Sequence, residues 1–195
     1  MSSSYDRKGI EKIISQKFGN TNLTDGLTKE IMYTSYDYIS HEPRLFTKYA
    51  AKLDPENYDV TLAQAAAASA AAPNYFDPKE IGNQLLIDGG LIANDPSLFA
   101  YLHSVYMLKK IPEEIRIVSI GTGMKTPNKI DADKMSTLDW AGLLGTFLTT
   151  TDQYTHAYLL NQLGKDYHRF QANLTADIFL DAYSDGDIIV LKVAG

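Results

Sequence analysis

The stretch Gln84-Leu85-Leu86-Ile87-Asp88-Gly89-Gly90 decides how the rest of the chain is interpreted. Three apolar residues run directly into a carboxylate, and two glycines follow it. A buried strand that ends in an acid is how an α/β protein presents a reactive group at the rim of its sheet. Glycine lets another segment approach the backbone closely. Because Asp-Gly is also a strong turn signal, these residues alone leave a plain turn open.

The composition is that of a globular protein with an acidic surface. The 195 residues are 45% hydrophobic and 22% charged, which suits one domain with a sizeable core. The net charge of −6 argues against a nucleic-acid partner, which requires a basic stripe. The absence of cysteine excludes a disulfide framework and a thiolate nucleophile. A polar N-terminus and the lack of a long apolar run predict neither signal peptide nor membrane span, so the expected location is cytoplasmic.

Helical and strand patterns alternate along the chain. Apolar spacing predicts helices at 6–18, 61–72, 95–108 and 138–163. Runs rich in β-branched, aromatic or other apolar residues predict strands at 31–39, 44–47, 84–87, 115–120 and 168–172, whereas 188–194 fits either state. The alternation predicts the α/β class, as a three-layer α/β/α fold with a mostly parallel central sheet flanked by helices.

The spacing of the histidines, glycines and serines argues against several kinds of site. The four histidines have no zinc-binding spacing, so no metal is expected. The segment Gly121-Thr122-Gly123-Met124-Lys125-Thr126 lacks the Gly-Lys pair of a phosphate loop, and Thr126 stands where a dinucleotide fingerprint needs glycine. No cofactor is therefore predicted, and this loop is interpreted as a tight turn. No serine has glycine both two residues before and two residues after it, so the Gly-x-Ser-x-Gly elbow of a serine hydrolase is absent.

Several segments in order nevertheless resemble one family, the patatin-like phospholipases. The resemblance covers nearly the whole chain and depends on the order and spacing of its pieces rather than on one motif. The pieces are Phe18-Gly19-Asn20-Thr21-Asn22-Leu23, Ser35-Tyr36-Asp37, Ser69 to Pro78, Leu86 to Gly90 with Asn94-Asp95-Pro96, Ser119 to Gly123, and Tyr167 to Gln171.

The resemblance implies a lipid acyl hydrolase that works by a Ser–Asp dyad without a catalytic histidine. Asp88 matches the family's catalytic aspartate, the general base that accepts a proton from the serine. Gly89 and Gly90 complete the family's Asp-Gly-Gly/Ala motif and would let the serine loop lie against Asp88. A carboxylate is a plausible base because burial raises its pKa toward the operating range.

This chain departs from the family pattern in one large respect. The family's glycine-rich oxyanion loop and its Gly-x-Ser-x-Gly elbow both precede every segment quoted above. Residues 1–195 are therefore expected to be the C-terminal portion of a patatin-like domain that is truncated at its N-terminus. With a base and no nucleophile, the chain alone is predicted to be inactive.

Two functions remain open, with different partners. The first is hydrolysis of phospholipids or other acyl-ester lipids by the complete domain. The alternative is a catalytically inactive lipid-binding or regulatory remnant of the same fold.

The expected partners follow from charge and from the missing strands. The acidic surface argues against general attraction to acidic membranes. Peripheral membrane contact through the aromatic pair Tyr75-Phe76 is nevertheless compatible with the sequence, and core packing is the other interpretation of this pair. A sheet without its first strands would expose an edge, which self-association or an N-terminal half would cover.

Overall fold

The computed structural model describes residues 4–25, 28–124, 137–174, 182 and 184–194, so Lys125 and Thr126 of the glycine loop lie outside the described residues. The chain divides into two compact units, unit 1 (residues 1–100) and unit 2 (residues 101–195). The helices are α1 Arg7–Phe18, α2 Lys48–Leu53, α3 Pro55–Tyr58, α4 Leu62–Ser69, α5 Gly90–Ala93, α6 Ser97–Tyr106, α7 Thr137–Leu163 and α8 Asp185–Ala194. The strands are β1 Met32–Asp37, β2 Glu42–Thr47, β3 Lys79–Ile81, β4 Gln84–Asp88, β5 Ile117–Ile120 and β6 Tyr167–Phe170.

The alternation of helices and strands confirms the predicted α/β class. Unit 1 contains a four-stranded sheet in the order β2-β1-β4-β3, and unit 2 contains the pair β5-β6. The predicted three-layer arrangement concerns the complete domain and stays a prediction.

The predicted strand direction is wrong for most of the described strand pairs. All three pairings in the four-stranded sheet are antiparallel, and only β5 and β6 pair in parallel. Connection length explains two of the three antiparallel pairings. Residues 38–41 join β1 to β2 and the pair Gly82-Asn83 joins β3 to β4, and such short links can only connect antiparallel neighbours. Gly82 has a φ of 57°, the left-handed conformation that a two-residue hairpin needs.

Helix α4 packs on the sheet of unit 1 through its alanines. A capping box starts it, in which the Thr61 hydroxyl accepts from the Gln64 amide and the Gln64 side chain accepts from the Thr61 amide. Small side chains let the helix contact β1, β3 and β4 directly. The buried core beneath consists of Leu23, Phe46, Ala51, Val60, Leu62, Ala65, Ala68 and Leu86.

Helix α1 begins and ends where the sequence predicts. The Asp6 side chain accepts from the Lys8 amide at the start, and Gly19 ends the helix with a φ of 60°. It contacts α4, which in turn lies on the sheet.

Unit 2 is organised around the parallel pair. Between β5 and β6 the chain passes through α7, the long crossover that parallel strands require. Leu159, Leu163 and Tyr167 are buried there, and α7 contacts β6. Residues 188–194, for which strand and helix were both open, lie in α8. Within the described part of the chain, no helix combines the length and the apolar content needed to cross a bilayer.

Candidate active site

The predicted base lies where the sequence places it, at the end of a strand. Asp88 is the last residue of β4 and pairs with Ser35 of the neighbouring antiparallel strand β1. Gly89 alone separates β4 from the short helix α5, which begins at Gly90. A strand-to-helix junction of one residue turns the chain sharply and leaves the aspartate at the rim of the sheet. The plain hairpin turn that Asp-Gly also allowed is not formed.

Hydrogen bonds from two other elements hold the backbone of this junction. The Asp88 amide donates to the Ala71 carbonyl at 3.1 Å, and the Gly89 amide donates to the Ser69 carbonyl at 3.3 Å. The Ser35 hydroxyl, which is fully buried, donates to the Ile87 carbonyl at 2.6 Å. Both peptide groups of Asp88 are therefore fixed, which limits the directions that its side chain can take.

These supporting residues received no role in the sequence analysis. Ser35 and Ser69 lie in segments that carry the resemblance, but a strand and an alanine-rich helix suggested only structure. One signal was present, because Thr34-Ser35 places two hydroxyls inside an otherwise apolar and aromatic strand. A buried hydroxyl needs a hydrogen-bond partner, and in this strand the partner of Ser35 is the carbonyl next to Asp88.

The two glycines of the motif differ in how much space they have. A Cβ on Gly89 would lie 2.1 Å from both the carbonyl oxygen and the hydroxyl oxygen of Thr34. Its backbone is ordinary α-region, with φ −67° and ψ −20°, so the close approach of β1 is what requires glycine. At Gly90 the nearest atom would be Asp88 Oδ1, at 3.0 Å. The predicted approach of a serine loop to these glycines stays a prediction.

The Asp88 carboxylate is half-buried and sparsely bonded. In the described part of the chain its hydrogen-bond donor is the Gly90 amide, 2.6 Å from Oδ1. Burial raises the pKa of Asp88, and the Gly90 hydrogen bond offsets this only in part. A carboxyl with a raised pKa and a free oxygen is suited to accept a proton from a nearby group.

A second strand-end aspartate, Asp37 at the end of β1, has the opposite character. It is 3% exposed and accepts from the Ile39 amide at 3.1 Å, the Ser40 hydroxyl at 2.9 Å and the Leu85 amide at 3.2 Å. Burial alone would raise its pKa, but these hydrogen bonds and the charge of Arg44 outweigh burial and hold the pKa below its usual value. The two strand-end carboxylates therefore differ. Asp37 is bound into the structure by several hydrogen bonds, whereas Asp88 has an oxygen available for proton transfer.

Two serines near this junction hydrogen-bond to the backbone on either side of Asp88. Ser35 commits its buried hydroxyl to Ile87, and Ser69 contributes its carbonyl. His41, the histidine of unit 1, is exposed in the β1–β2 turn. Among the residues that the structure describes, no serine or histidine of unit 1 hydrogen-bonds to Asp88.

Protein side chains lie against Gly121, the first residue of the glycine loop after β5. A Cβ on Gly121 would lie 1.5 Å from Gln171 Oε1 and 2.8 Å from Arg169 Nη2. Side chains thus pack directly against the backbone that a phosphate would have to approach. Across the described residues, no three carboxylate or imidazole side chains converge in a way that could hold a metal ion.

Replacing Asp88 with asparagine is expected to stabilise the fold at neutral pH. Because the folded-state pKa is raised, the wild type loses stability as pH rises above the usual value of 3.8. Asparagine does not ionise, so the variant does not lose stability in this way, and its side-chain oxygen can still accept from the Gly90 amide. The gain is about 1.4 kcal/mol for each unit by which folding raises the pKa. Urea unfolding at a series of pH values measures it.

Asp77→Asn is the matched control, since Asp77 is exposed in a loop. The difference between Asp88→Asn and wild type should vanish below pH 3.8, where both side chains are neutral. A variant that is less stable than wild type at neutral pH would contradict a destabilised carboxylate at this position.

Comparison with known proteins places the chain among patatin-like proteins. A family model described as Patatin-like phospholipase matches residues 1–101, which include β1, α4, β4 and Asp88. Patatin-like protein 6 of Arabidopsis thaliana is 30% identical over 137 residues, 65% of this chain and 27% of that protein. Patatin-like protein 2 of Oryza sativa subsp. indica is 27% identical over 178 residues, 78% of this chain and 44% of that protein.

A bacterial relative matches over most of the chain. The cGAMP-activated phospholipase of Pseudomonas aeruginosa is 24% identical over 183 residues, 91% of this chain and 54% of that protein. The chain thus spans between about a quarter and about half of the length of these relatives. The family match covers more than half of the chain and contains the strand-end aspartate with its supporting elements. The chain belongs to the patatin-like phospholipase family.

Proposed function

We propose that this chain supplies the general base of a Ser–Asp dyad that hydrolyses acyl esters of phospholipids or related lipids. The observation that carries the proposal is Asp88 itself, a strand-end carboxylate with a raised pKa and one backbone donor. The names of its relatives, patatin-like proteins and a phospholipase, support the lipid substrate class.

The chemistry assigned to Asp88 is proton transfer. A serine hydroxyl attacks the ester carbonyl while the Asp88 carboxylate takes its proton, and the acyl group becomes bound to the serine oxygen. The protonated Asp88 then gives that proton to the departing alcohol. In the second half Asp88 takes a proton from water, which attacks the acyl carbonyl; the bond to the serine oxygen breaks, Asp88 returns the proton to that oxygen, and the fatty acid is released. The 195 residues contain no Gly-x-Ser-x-Gly segment, so the proposed nucleophile is a serine outside them.

The raised pKa and the fixed backbone both favour this role. A base that holds protons more tightly than an ordinary aspartate takes up the serine proton more readily. The bonds to Ala71, Ser69 and Ile87 hold in place the backbone that carries the carboxylate. Preorganisation of this kind reduces the rearrangement that the transition state would otherwise require.

In a polypeptide that joins these residues to a Gly-x-Ser-x-Gly segment, Asp88→Asn is expected to lower kcat for ester hydrolysis by about 10²- to 10⁴-fold. Asparagine has nearly the same shape and cannot accept the proton. Asp77→Asn, an exposed aspartate in the same unit, is expected to keep full activity. Release of fatty acid from phospholipid vesicles is the measurement. Equal activity of Asp88→Asn and wild type would refute the assigned role and leave the inactive, lipid-binding remnant as the better account.

The 195-residue chain by itself is expected to show no esterase turnover and no covalent labelling by a fluorophosphonate. This part of the experiment tests where the nucleophile lies, independently of the role of Asp88. Labelling that disappears when one serine of this chain is replaced would show that the nucleophile is among the serines present.

A further inference from the structure

The outward face of α1 is basic, although the chain as a whole carries a net charge of −6. Helix α1 has four basic residues and one acidic residue. Lys8, Lys12 and Lys17 are exposed, and with Ile13, which is 60% exposed, they form what we call the basic face. At 100° per residue these side chains span about half of the helix circumference, with Lys8 and Lys17 at the two edges of that half and Lys12 and Ile13 between them.

The opposite side of α1 fixes the helix to the rest of unit 1. Arg7 donates to the Ala67 carbonyl at 2.9 Å and to the Asp77 carbonyl at 2.6 Å. Glu11 accepts from both Arg7, at 3.1 Å, and Lys79, at 2.9 Å. The acidic residue of the helix is thus neutralised on its inner side. These attachment bonds are made by Arg7 and Glu11 and by none of the lysines of the basic face.

The charges of the basic face are available to a partner. Lys8 has Asp6 at 3.8 Å, but both side chains are highly exposed, so water competes strongly with this pair. In the described part of the chain no carboxylate lies within ion-pair distance of Lys12 or Lys17. A cationic surface with an exposed isoleucine is the pattern of helices that lie on anionic lipid surfaces.

An aromatic cluster lies at the N-terminal end of α1. Tyr5, which is 44% exposed, stacks on Tyr75 with centroids 6.3 Å apart and tilts against Phe76 at 6.2 Å. Aromatic rings with a polar end favour the headgroup region of a bilayer. The amides of Tyr75 and Phe76 both donate to the Ala72 carbonyl, and the neighbouring Ala71 carbonyl holds the Asp88 amide. The cluster and the candidate base are therefore joined through two consecutive residues of one unit.

We propose that the basic face of α1, with the aromatic cluster at the N-terminal end of the helix, docks unit 1 on anionic phospholipid bilayers. The lysines supply attraction to the headgroups, and Tyr5 and Ile13 supply apolar contact. Because the chain as a whole is acidic, this concentration of positive charge orients its approach to an anionic surface. The biological purpose of this docking rests on the proposed function, since a bilayer would contain the ester substrate, but the docking itself requires no catalysis.

The test is sedimentation of the 195-residue chain with vesicles of phosphatidylcholine and phosphatidylglycerol in a 7:3 ratio. Wild type is expected to bind these vesicles, to bind pure phosphatidylcholine far more weakly, and to be released by salt. Each lysine near an anionic surface contributes about 1 kcal/mol. The triple variant Lys8→Glu, Lys12→Glu, Lys17→Glu should therefore bind at least about 100-fold more weakly.

A matched triple variant makes the test specific. Lys29→Glu, Lys52→Glu and Lys165→Glu are exposed and change the net charge by the same amount, so they should leave binding within about twofold of wild type. For the apolar part, Ile13→Asn should weaken binding, whereas Leu53→Asn, at a site that is 70% exposed on α2, should not. Circular dichroism verifies that each variant is folded.

Two results would overturn the proposal. Equal loss of binding in both triple variants would mean that total charge, not this face, drives adsorption. If the wild-type chain did not bind anionic vesicles at low ionic strength, a lipid surface would be excluded. That result would favour an acidic protein as the partner of α1. Because Asp88→Asn is expected to bind vesicles like wild type, loss of the catalytic proposal would leave this result standing, and the reverse also holds.

Discussion

Gly89→Ala is expected to destabilise the fold by roughly 3 kcal/mol or more, the upper range for overpacking a tight site. The new methyl would lie 2.1 Å from the Thr34 carbonyl oxygen and 2.5 Å from the carbonyl carbon. These are backbone atoms of β1, so the strand itself must move to make room. Since Asp88 pairs with the adjacent Ser35, that movement would also displace the candidate base. Urea unfolding gives the free energy of unfolding, and the carboxyl resonance of Asp88 reports its environment.

Gly90→Ala is the matched control for this prediction. Its methyl would meet the Asp88 Oδ1 at 3.0 Å and the Asn94 Oδ1 at 3.7 Å, both at the ends of side chains that can yield. We expect a loss of at most about 1 kcal/mol. Adding Thr34→Ala to Gly89→Ala should restore little stability, because the carbonyl oxygen remains at the same place. Restored stability in this double variant would show that the hydroxyl, rather than the strand backbone, forms the barrier.

The second large effect is expected at Asp37. Asp37→Ala removes an acceptor from the amides of Ile39 and Leu85 and from the Ser40 hydroxyl, in a buried position. Buried donors left without an acceptor, together with the loss of a charged acceptor, should lower the free energy of unfolding by about 3 kcal/mol. Because folding lowers the pKa of Asp37, its stabilising effect is present above pH 3.8 and disappears as pH falls through the folded-state pKa.

Asp37→Asn separates shape from charge. The two amides both donate to Oδ1, so an asparagine that keeps its carbonyl oxygen there retains both bonds. We expect a loss of about 1 kcal/mol and a weaker decline of stability in acid. Chemical unfolding of both variants at neutral and acidic pH gives the comparison. If alanine and asparagine were equally destabilising, charge rather than hydrogen bonding would account for the whole effect.

Local patterns in the sequence predicted the elements well. Helix α1 was predictable from its apolar spacing and its end residues Asp6 and Gly19, and α7 from its long helical run. Strand β4 was predictable because a short apolar run is bounded by turn residues, which also placed Asp88 at its end. These features depend on residues within one element, and the sequence contains that information directly.

What could not be predicted depends on which elements meet. Strand β3 is only three residues long, so its alternation is too short to recognise, although Gly82-Asn83 was a hairpin signal. The general rule that alternating helices and strands form parallel sheets failed for the two hairpins because their links are short. The contact of Thr34 with Gly89 joins residues far apart in the chain; the glycine indicates that some segment can approach closely, but nothing in the local sequence identifies β1 as that segment.

The position of Asp88 also has a consequence for the order in which the chain folds. The β1–β2 hairpin joins residues as close as Asp37 and Glu42, whereas the bond between Ser35 and Ile87 closes a separation of 52 residues. Loop-closure entropy makes the longer closure about 2 kcal/mol harder than the hairpin. We therefore expect the site around Asp88 to form after the β1–β2 hairpin during folding. In a partial unfolding that releases β4, the site would be lost while the hairpin still remains. Any activity of Asp88 would report on this late, long-range closure and not merely on the presence of secondary structure.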